Sequence, residues 1–287
     1  MNKNKTKVSV IMNCLNGEKF LKEAINSVIY QTYDNWELIF LDNCSTDNSI
    51  NIAKSYKNRN IKIYSTNKYL ICGEARNFAI TKSTGEYIAF LDSDDIWYKD
   101  KLEKQINYIE KNKIKILYCN AYIKKDNLRI TSKKKLPEGV ISKNLLHKNP
   151  ITFSSVIIDS KIFFSKNFRF QKYEIIEDFD LFFRLSKNFK FYALQEPLVI
   201  YREHQNMISK KKFELYIKEL DDWAEVHKAE IDKKDFIKMK NEILYNKISI
   251  NLKNGQFEYF FDNIRSIQGY MLILKLLLKF IIQKIKI

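Results

Sequence analysis

The sequence is poor in glycine, and none of its glycines forms either of the two common phosphate-binding loops. Glycine accounts for 6 of the 287 residues, and neither Gly-x-x-x-x-Gly-Lys-Ser/Thr nor Gly-x-Gly-x-x-Gly occurs. The first absence excludes a P-loop protein, and the second argues against a dinucleotide-binding fold. A diphosphate ligand would therefore have to be held by a metal ion and basic side chains.

Cysteine is also scarce, and its spacing excludes the usual zinc motifs. The four cysteines, Cys14, Cys44, Cys72 and Cys119, are far apart and form no Cys-x-x-Cys pair. This pattern indicates reduced thiols in a cytosolic chain rather than disulfides or a zinc site. Residues 1–7 are polar and Lys-rich and do not resemble a signal peptide, so we expect none.

The chain carries a formal net charge of +16, from 50 Lys and Arg against 34 Asp and Glu. Such a charge invites a nucleic-acid interpretation, but no zinc-finger, RNA-recognition or helix-turn-helix signature accompanies it. We therefore expect no nucleic-acid partner. A basic surface that faces anionic lipid or a phosphorylated acceptor explains the charge better.

The first part of the chain alternates short apolar runs with segments of helical periodicity, as in an α/β protein. Strands are predicted at residues 7–12, 36–41, 61–64 and 87–91, and helices after Asn16 and at residues 47–57 and 74–82. Further on, a helix is predicted at residues 99–111, a polar loop at 124–149, and strands at 116–119, 154–159 and 198–201. This order predicts a mostly parallel, doubly wound central sheet flanked by helices.

Polar residues follow three of the predicted strands. The first strand ends at Asn13, the second at Asp42 and the fourth at Asp92. Because ligands of such sheets bind beyond the carboxyl ends of the strands, these side chains should face one crevice. Arg76, in the third predicted helix, could approach a nucleotide there. The arrangement implies a nucleoside diphosphate linked to a transferable group.

The predicted strand at residues 87–91 runs directly into Asp92, Ser93, Asp94 and Asp95. Carboxylates this close repel one another, and a divalent cation such as Mg²⁺ or Mn²⁺ is the usual remedy. The alternative is a solvated acidic turn that caps the next helix. The position of the cluster at a strand end favours the metal interpretation.

A second acidic cluster, Glu177 and Asp178, precedes the helical pattern of residues 181–185. Carboxylates at a helix N-terminus are explained by the helix dipole alone. The alternative is that one of them deprotonates an incoming hydroxyl group. His204 follows the last predicted strand and is either structural or a metal or phosphate ligand.

Taken together, these segments resemble the family 2 glycosyltransferases, which are inverting enzymes of the GT-A fold that use nucleotide sugars. The resemblance covers about residues 7–206. It rests on six ordered blocks: Val8-Ser9-Val10-Ile11-Met12 with Asn16, Asp42-Asn43-Cys44-Ser45-Thr46-Asp47, Gly73-Glu74-Ala75-Arg76-Asn77, Leu91-Asp92-Ser93-Asp94-Asp95, Glu177-Asp178-Phe179-Asp180 and Tyr201-Arg202-Glu203-His204.

The resemblance implies a donor-binding role for five residues. Asp42 would read the nucleobase, Arg76 would lie beside the nucleotide, and Asp92 would sit near the ribose, with Asn16 and Ser93 in the same donor site. The turn at residues 13–16 lacks the proline that the family usually has there, so no contact is assigned to its first two residues.

The resemblance also implies the metal site and the base. Asp94, with Asp92 and His204, would hold the Mn²⁺ or Mg²⁺ that bridges the diphosphate of a donor, expected to be UDP-linked. Asp178 would be the general base, with Glu177 beside it. Such an enzyme would transfer a sugar to a hydroxyl of a glycan or lipid-linked acceptor during synthesis of a bacterial surface polysaccharide.

The last 20 residues have a composition of their own. In residues 268–287, Lys275, Lys279, Gln283 and Lys286 form one helical stripe, and the other faces are almost wholly apolar. A spanning helix would bury two lysines at roughly 2.5–3.5 kcal/mol each. We expect this segment to lie on an anionic membrane surface. The alternative is docking on the protein's own core or on a dimer partner.

We therefore predict a nucleotide-sugar-binding α/β half at residues 1–98, an acceptor-binding catalytic half at 99–206, and a helical extension at 207–287. The enzyme is expected in the cytoplasm, peripheral on the inner face of the cell membrane, and the oligomeric state is left open. Two other classes remain at this point: a sugar-phosphate nucleotidyltransferase, which would want a Gly-rich basic loop after the first strand, and a noncatalytic sugar-binding module.

Overall fold

The computed structural model describes residues 5–164 and 168–285. The chain divides into two compact units, Met1–Gln205 and Asn206–Ile287. The first unit holds a sheet with helices packed on it, and the second is helical.

The first unit is built on one sheet of nine strands, in the order β3-β2-β1-β4-β8-β6-β9-β5, with β7 paired to β6. The strands are β1 (Val8–Cys14), β2 (Trp36–Asp42), β3 (Ile61–Ser65), β4 (Tyr87–Phe90), β5 (Ile96–Trp97), β6 (Ile116–Lys124), β7 (Leu128–Ile130), β8 (Ile157–Asp159) and β9 (Tyr192–Arg202). The run β3-β2-β1-β4 is parallel. β8 is antiparallel to both its neighbours, and β9 is parallel to β6.

Helices connect these strands. They are α1 (Glu18–Ile29), α2 (Ser49–Ser55), α3 (Cys72–Ile80), α4 (Lys101–Asn112), α5 (Ser142–His147), α6 (Ser160–Phe164) and α7 (Glu177–Asn188). The chain leaves β1 towards β2 and β3 on one side, and β4 returns to the other side of β1. The strand order therefore reverses between β1 and β4, and a ligand crevice is expected beyond their carboxyl ends.

Hydrophobicity on both faces explains why β1 and β2 lie in the middle of the sheet. Every residue of β2 is buried, and so is every residue of β1 except Asn13. One face of β1, with Val10 and Met12, packs in the same core as Leu21 and Ile25 of α1. Strands covered on both faces are typical of parallel sheets.

The predicted fold class, α/β with a mostly parallel sheet, is confirmed. The segment that we predicted as a polar loop, residues 124–149, contains β7 and α5 instead. The strand predicted at 154–159 is shorter, because residues 153–155 form a 3-10 turn before β8. All four cysteines lie within the described residues and are free thiols.

The second unit consists of α8 (Ile208–Lys211), α9 (Phe213–Val226), α10 (Lys233–Lys253), α11 (Phe257–Asn263) and α12 (Tyr270–Ile285). Its core includes Ile248, Leu252, Phe260 and Leu276, which come from α10, α11 and α12. Across the described residues, no helix is both long and apolar enough to cross a membrane.

A buried carboxylate joins three strands at the end of the sheet opposite the crevice. Glu37 of β2 accepts hydrogen bonds from the Ser9 hydroxyl at 2.6 Å and the Thr84 backbone N–H at 2.7 Å. It is also paired with the ammonium groups of Lys62, at 2.6 Å, and Lys7, at 3.3 Å. Burial alone would raise the pKa of Glu37, but these donors outweigh it and lower the pKa to about 2.

We expect Glu37→Gln to lower the free energy of unfolding by roughly 2–3 kcal/mol at neutral pH, because glutamine cannot keep the two ion pairs. The folded-state pKa lies below the ordinary value of 4.5. The Glu37 contribution is therefore complete above about pH 4.5 and is lost as the pH falls towards about 2. Urea unfolding at several pH values measures it.

Asp34→Asn is the matched control, because it removes one exposed carboxylate, which pairs with the exposed Lys5 side chain at 2.8 Å. We expect no change in its urea midpoint. Equal midpoints for the two variants would contradict a structural role for Glu37.

Candidate active site

The loops that follow β1 and β2 are hydrogen-bonded to each other. Asn16 adopts a left-handed backbone conformation (φ 54°), which asparagine tolerates better than most residues. Its side-chain Oδ1 accepts from the backbone N–H groups of Thr46, at 2.7 Å, and Asp47, at 3.3 Å. In return, the Ser45 hydroxyl accepts from the Asn16 N–H at 2.9 Å. The structure thus uses the Asn16 side chain to join two loops of the predicted donor site.

Ser93 lies against the first of these loops. A Cβ atom added to Gly17 would be 2.8 Å from the Cys14 Sγ and 3.0 Å from the Ser93 Oγ, so no side chain fits there. Gly17 therefore allows the loop after β1 to approach the acidic loop after β4.

The end of β2 presents a buried carboxylate with one uncommitted oxygen. Asp42 Oδ2 accepts from the Ser45 N–H at 3.3 Å. Oδ1 is buried, and no described residue donates a hydrogen bond to it. The neighbouring Asn43 side chain holds the segment after β3 through both the N–H and the C=O of Leu70, at 3.0 and 2.7 Å. Buried polar atoms normally have a hydrogen-bond partner. Asp42 Oδ1 has none among the described residues, so it can accept a hydrogen bond from a ligand.

The centre of the crevice is an arginine shared by two carboxylates. Arg76 of α3 donates to Asp92 Oδ1 at 3.0 Å, and its other terminal nitrogen pairs with Glu177 at the start of α7. The guanidinium group stacks on the Phe153 ring, with 3.7 Å from its carbon to the ring centroid. One planar cation therefore connects the loop after β4 to the N-terminus of α7.

This centre holds more negative than positive charge. Removal from bulk water raises the pKa of Asp92 to about 6; Arg76 opposes that rise, and the Asp94 and Asp178 carboxylates add to it. Burial likewise raises the pKa of Glu177, which is 5% exposed. A shortage of cations among several carboxylates is typical of a site that receives a positively charged ligand.

Asp178 has a different setting from Glu177. Its carboxylate accepts a local hydrogen bond from the Phe179 N–H at 2.7 Å, and its side chain remains partly exposed. Burial raises the pKa of Asp178, while the nearby Arg76 charge opposes the rise. A carboxylate that reaches solvent with a raised pKa is suited to accept a proton.

Asp94 and His204 meet on the other side of the crevice. Asp94 Oδ2 and His204 Nε2 are 2.9 Å apart, and both side chains are partly exposed. At the end of β9, the backbone is fixed by the buried Asp95. Its carboxylate accepts hydrogen bonds from the Arg202 N–H at 3.1 Å and the Ser154 hydroxyl at 2.5 Å. Asp95 thus couples the acidic loop to the end of β9, and thereby sets the Asp94–His204 contact.

Arg202 is a residue of this region to which the sequence analysis gave no role. Its Nε donates to the Asp94 backbone carbonyl at 2.5 Å, and it pairs with Glu23 of α1 at 3.2 Å. Its guanidinium also stacks on Phe20 at 4.7 Å. The signal available in the sequence was its position in the Tyr201–His204 block, two residues before the histidine.

Two residues of this region could contribute ligands to a divalent cation that is shared with a bound molecule. Asp94 and His204 offer an oxygen and a nitrogen ligand that already point at each other. Asp92 is paired with Arg76 rather than with this couple. Among the residues described, no group of three or more His, Cys, Asp or Glu side chains could hold a metal alone. Phosphate oxygens and water would complete such a coordination shell, as is usual for Mg²⁺.

Comparison with solved structures identifies the fold. The structure is similar to residues 1–349 of Staphylococcus aureus TarS in complex with UDP-GlcNAc, with a TM-score of 0.65. The match covers 96% of this chain and 89% of that one at 18% sequence identity. A second neighbour is the mannosyltransferase PcManGT of Pyrobaculum calidifontis, in complex with GDP-Man and Mn²⁺. It has a TM-score of 0.55 over 77% of this chain and 63% of that one, at 13% identity. The fold is therefore the GT-A fold, as predicted.

Sequence comparison identifies the family. The model of glycosyl transferase family 2 matches residues 9–185. The UDP-Glc:α-D-GlcNAc-diphosphoundecaprenol β-1,3-glucosyltransferase WfgD of Escherichia coli is 33% identical over 258 residues, which cover 88% of this chain and 96% of WfgD. The chain belongs to glycosyl transferase family 2. The predicted family and the predicted enzyme class, a glycosyltransferase, are both confirmed.

We expect Arg76→Lys to lower the rate of sugar transfer about 100-fold, because a single ammonium group cannot bridge Asp92 and Glu177, and small displacements of reacting groups are costly. Steady-state kinetics, with the folded fraction checked by circular dichroism, measures the effect. Arg184→Lys is the control, since Arg184 pairs with Asp180 one turn along α7 at 2.6 Å. Full activity in Arg76→Lys would show that the bridge is dispensable.

Proposed function

We propose that this enzyme transfers a sugar, with inversion at its anomeric carbon, from a UDP-linked donor to a hydroxyl group of a lipid-linked glycan. The observation that carries the proposal is the Asp92–Arg76–Glu177 bridge, which holds donor-side and base-side carboxylates at one crevice. Residues 1–98 would bind the donor, and residues 99–206 would supply the base and the acceptor site.

The free oxygen of Asp42 supports a uracil base. Asp42 Oδ1 is buried and accepts from no described residue, so a ligand N–H placed there would satisfy it. The N3–H of uracil is such a donor. WfgD is named as a UDP-Glc transferase, as is WfaP of Escherichia coli, which is 34% identical over 74% of this chain and 83% of its own length. Asn16 and Ser93 would shape the same pocket through the loop contacts described above.

Asp94 and His204 would hold a Mn²⁺ or Mg²⁺ ion together with the donor diphosphate. When bound, such an ion neutralises the charge that develops on the departing diphosphate. The chain assists by placing Arg76 beside Asp92, so that a fixed positive charge remains near the donor. Asp95 and Arg202 would act indirectly, because they fix the backbone that carries Asp94 and leads to His204.

Asp178 is the proposed general base. It would take the proton of the acceptor hydroxyl as the oxygen attacks the anomeric carbon and the bond to the diphosphate breaks. The attack comes from the face opposite the leaving group, so a single displacement inverts the centre. Glu177, buried and held by Arg76, would orient the start of α7 rather than meet the acceptor.

The acceptor is proposed from the relatives. WfgD and WfaP are both named for transfer to GlcNAc-diphosphoundecaprenol. An acceptor of this chemistry has a sugar diphosphate headgroup on an isoprenoid chain that stays in the membrane. An enzyme that uses it works at a membrane surface, in keeping with a cytoplasmic enzyme on the inner face of the cell membrane.

We expect Asp178→Asn to lower the rate of transfer by about 10²–10⁴-fold while donor affinity stays within about twofold, because asparagine keeps the shape but cannot take the proton. Transfer to an acceptor analogue is measured by mass spectrometry, and donor affinity by calorimetry. Asp180→Asn makes the same chemical change two residues away, where the carboxylate pairs with Arg184. Near wild-type turnover in Asp178→Asn would remove it as the base.

A thermal-shift panel of nucleotide sugars tests the donor. We expect UDP-sugars with Mn²⁺ or Mg²⁺ to raise the melting temperature more than GDP- or ADP-sugars do, because a ligand that binds only the folded state stabilises it. Asp42→Ala should lose this shift, and Asp34→Ala, at an exposed position, should keep it. Equal shifts from all nucleotides would contradict uracil recognition by Asp42.

A further inference from the structure

The helix α12 has two apolar faces, and only one of them is covered. Leu272, Ile273, Leu276 and Phe280 pack in the core of the second unit, and the Phe280 ring stacks on Phe260 with centroids 4.7 Å apart. From the sequence alone, docking and membrane binding are alternatives for this segment. The structure shows that the docking face uses only part of the apolar surface.

The opposite face of α12 is apolar and exposed. Six large side chains on it are each between 41% and 62% exposed: Met271, Leu274, Leu277, Leu278, Ile281 and Ile282. At about 100° per residue, five of these positions fall within about 60° of the side opposite Leu276, and Leu277 lies next to them, about 100° from Leu276. A contiguous patch of this kind marks an interaction surface, whereas single exposed apolar residues do not.

The charged residues of this segment favour an anionic partner for the exposed face. After Asp262 the sequence contains no acidic residue, but it contains Arg265, Lys275, Lys279, Lys284 and Lys286. Lys275 and Lys279 are exposed and lie along one border of the apolar face. Lys279 also donates to the Ser249 hydroxyl of α10 at 2.9 Å, which fixes the rotation of the helix about its axis. A second copy of this segment would bring the same cations and no carboxylate.

We propose that the exposed face of α12, Met271, Leu274, Leu277, Leu278, Ile281 and Ile282, inserts into the surface of an anionic bilayer. The helix would lie flat, with Lys275 at the level of the phosphate groups. A helix of 16 residues is about 24 Å long, so it can cover several headgroups without crossing the bilayer. This inference rests on the proposed function for its purpose, since a lipid-linked acceptor is reached only at a membrane.

Vesicle binding by the full chain tests the proposal without any donor or acceptor, so its outcome does not depend on whether the proposed transfer reaction is correct. We expect the wild-type protein to sediment with phosphatidylglycerol-containing vesicles and much less with pure phosphatidylcholine vesicles. The variant L274Q/L278Q/I281Q should bind the anionic vesicles about tenfold or more weakly, because it removes half of the inserted face.

The matched control is L128Q/V140Q/V226Q, which changes three exposed apolar residues that are scattered over the chain. We expect its vesicle binding to equal that of the wild type. A charge variant, Lys275→Glu, leaves the apolar face intact and should weaken binding to anionic vesicles about tenfold. If circular dichroism shows that the triple variant does not fold, the vesicle binding of Lys275→Glu still tests the proposal.

Three results would overturn the proposal. One is a wild-type protein that stays in the supernatant with anionic vesicles. Another is undiminished vesicle binding by a folded L274Q/L278Q/I281Q protein or by Lys275→Glu. The third is a wild-type dimer without vesicle binding that L274Q/L278Q/I281Q converts to a monomer, since a second copy would then be the occupant of this face.

Discussion

The contact on which the site depends is the bridge from Arg76 to Asp92 and Glu177. Its two carboxylates are far apart in the sequence: Asp92 follows β4, and Glu177 is the first residue of α7. Each of them alone would be costly to bury, and the shared guanidinium makes both tolerable. The ring of Phe153 under the guanidinium excludes water from one side. The bridge thus stabilises the fold and, at the same time, sets the separation between the loop after β4 and the start of α7.

The bridge also explains why adjacent acidic residues have different surroundings. Glu177 is buried and paired with Arg76, whereas Asp178 is partly exposed and accepts a local hydrogen bond from the Phe179 N–H. In the same way, Asp92 is committed to Arg76 while Asp94 meets His204. In each pair, one carboxylate anchors the loop and the other faces the crevice. The single positive charge of Arg76 is shared by Asp92 and Glu177, and it lowers the cost of holding four carboxylates close together.

Much of this could be predicted from the sequence, because the strands of a parallel sheet are apolar runs and their ends are marked by polar residues. Asp42, Asp92 and His204 are placed at strand ends by that rule alone. The rule does not predict which hydrogen-bond or ion-pair partner each of these side chains has. Asn16 was predicted in the donor site, but its Oδ1 is bonded to two backbone amides of the next loop. Lys101 is the first residue of the amphipathic helix α4. It is nevertheless fully buried, with its ammonium group 3.9 Å from the centroid of the Trp97 ring. Such choices depend on tertiary contacts that a one-dimensional pattern does not contain.

The contacts that Asp94 and Asp95 make with the end of β9 have a consequence for the order in which the enzyme becomes active. Asp95 receives an N–H from Arg202, and Asp94 meets the side chain of His204, so the acidic loop reaches its working shape only when the last strand of the sheet has been added. A nascent chain that has emerged only as far as α7 already contains Asp42, the arginine bridge and Asp178, the base that we propose, but it lacks His204, the partner of Asp94. The last residues of the first unit therefore complete the acidic loop, and a chain that stops before the end of β9 lacks the contacts that hold Asp94 and Asp95.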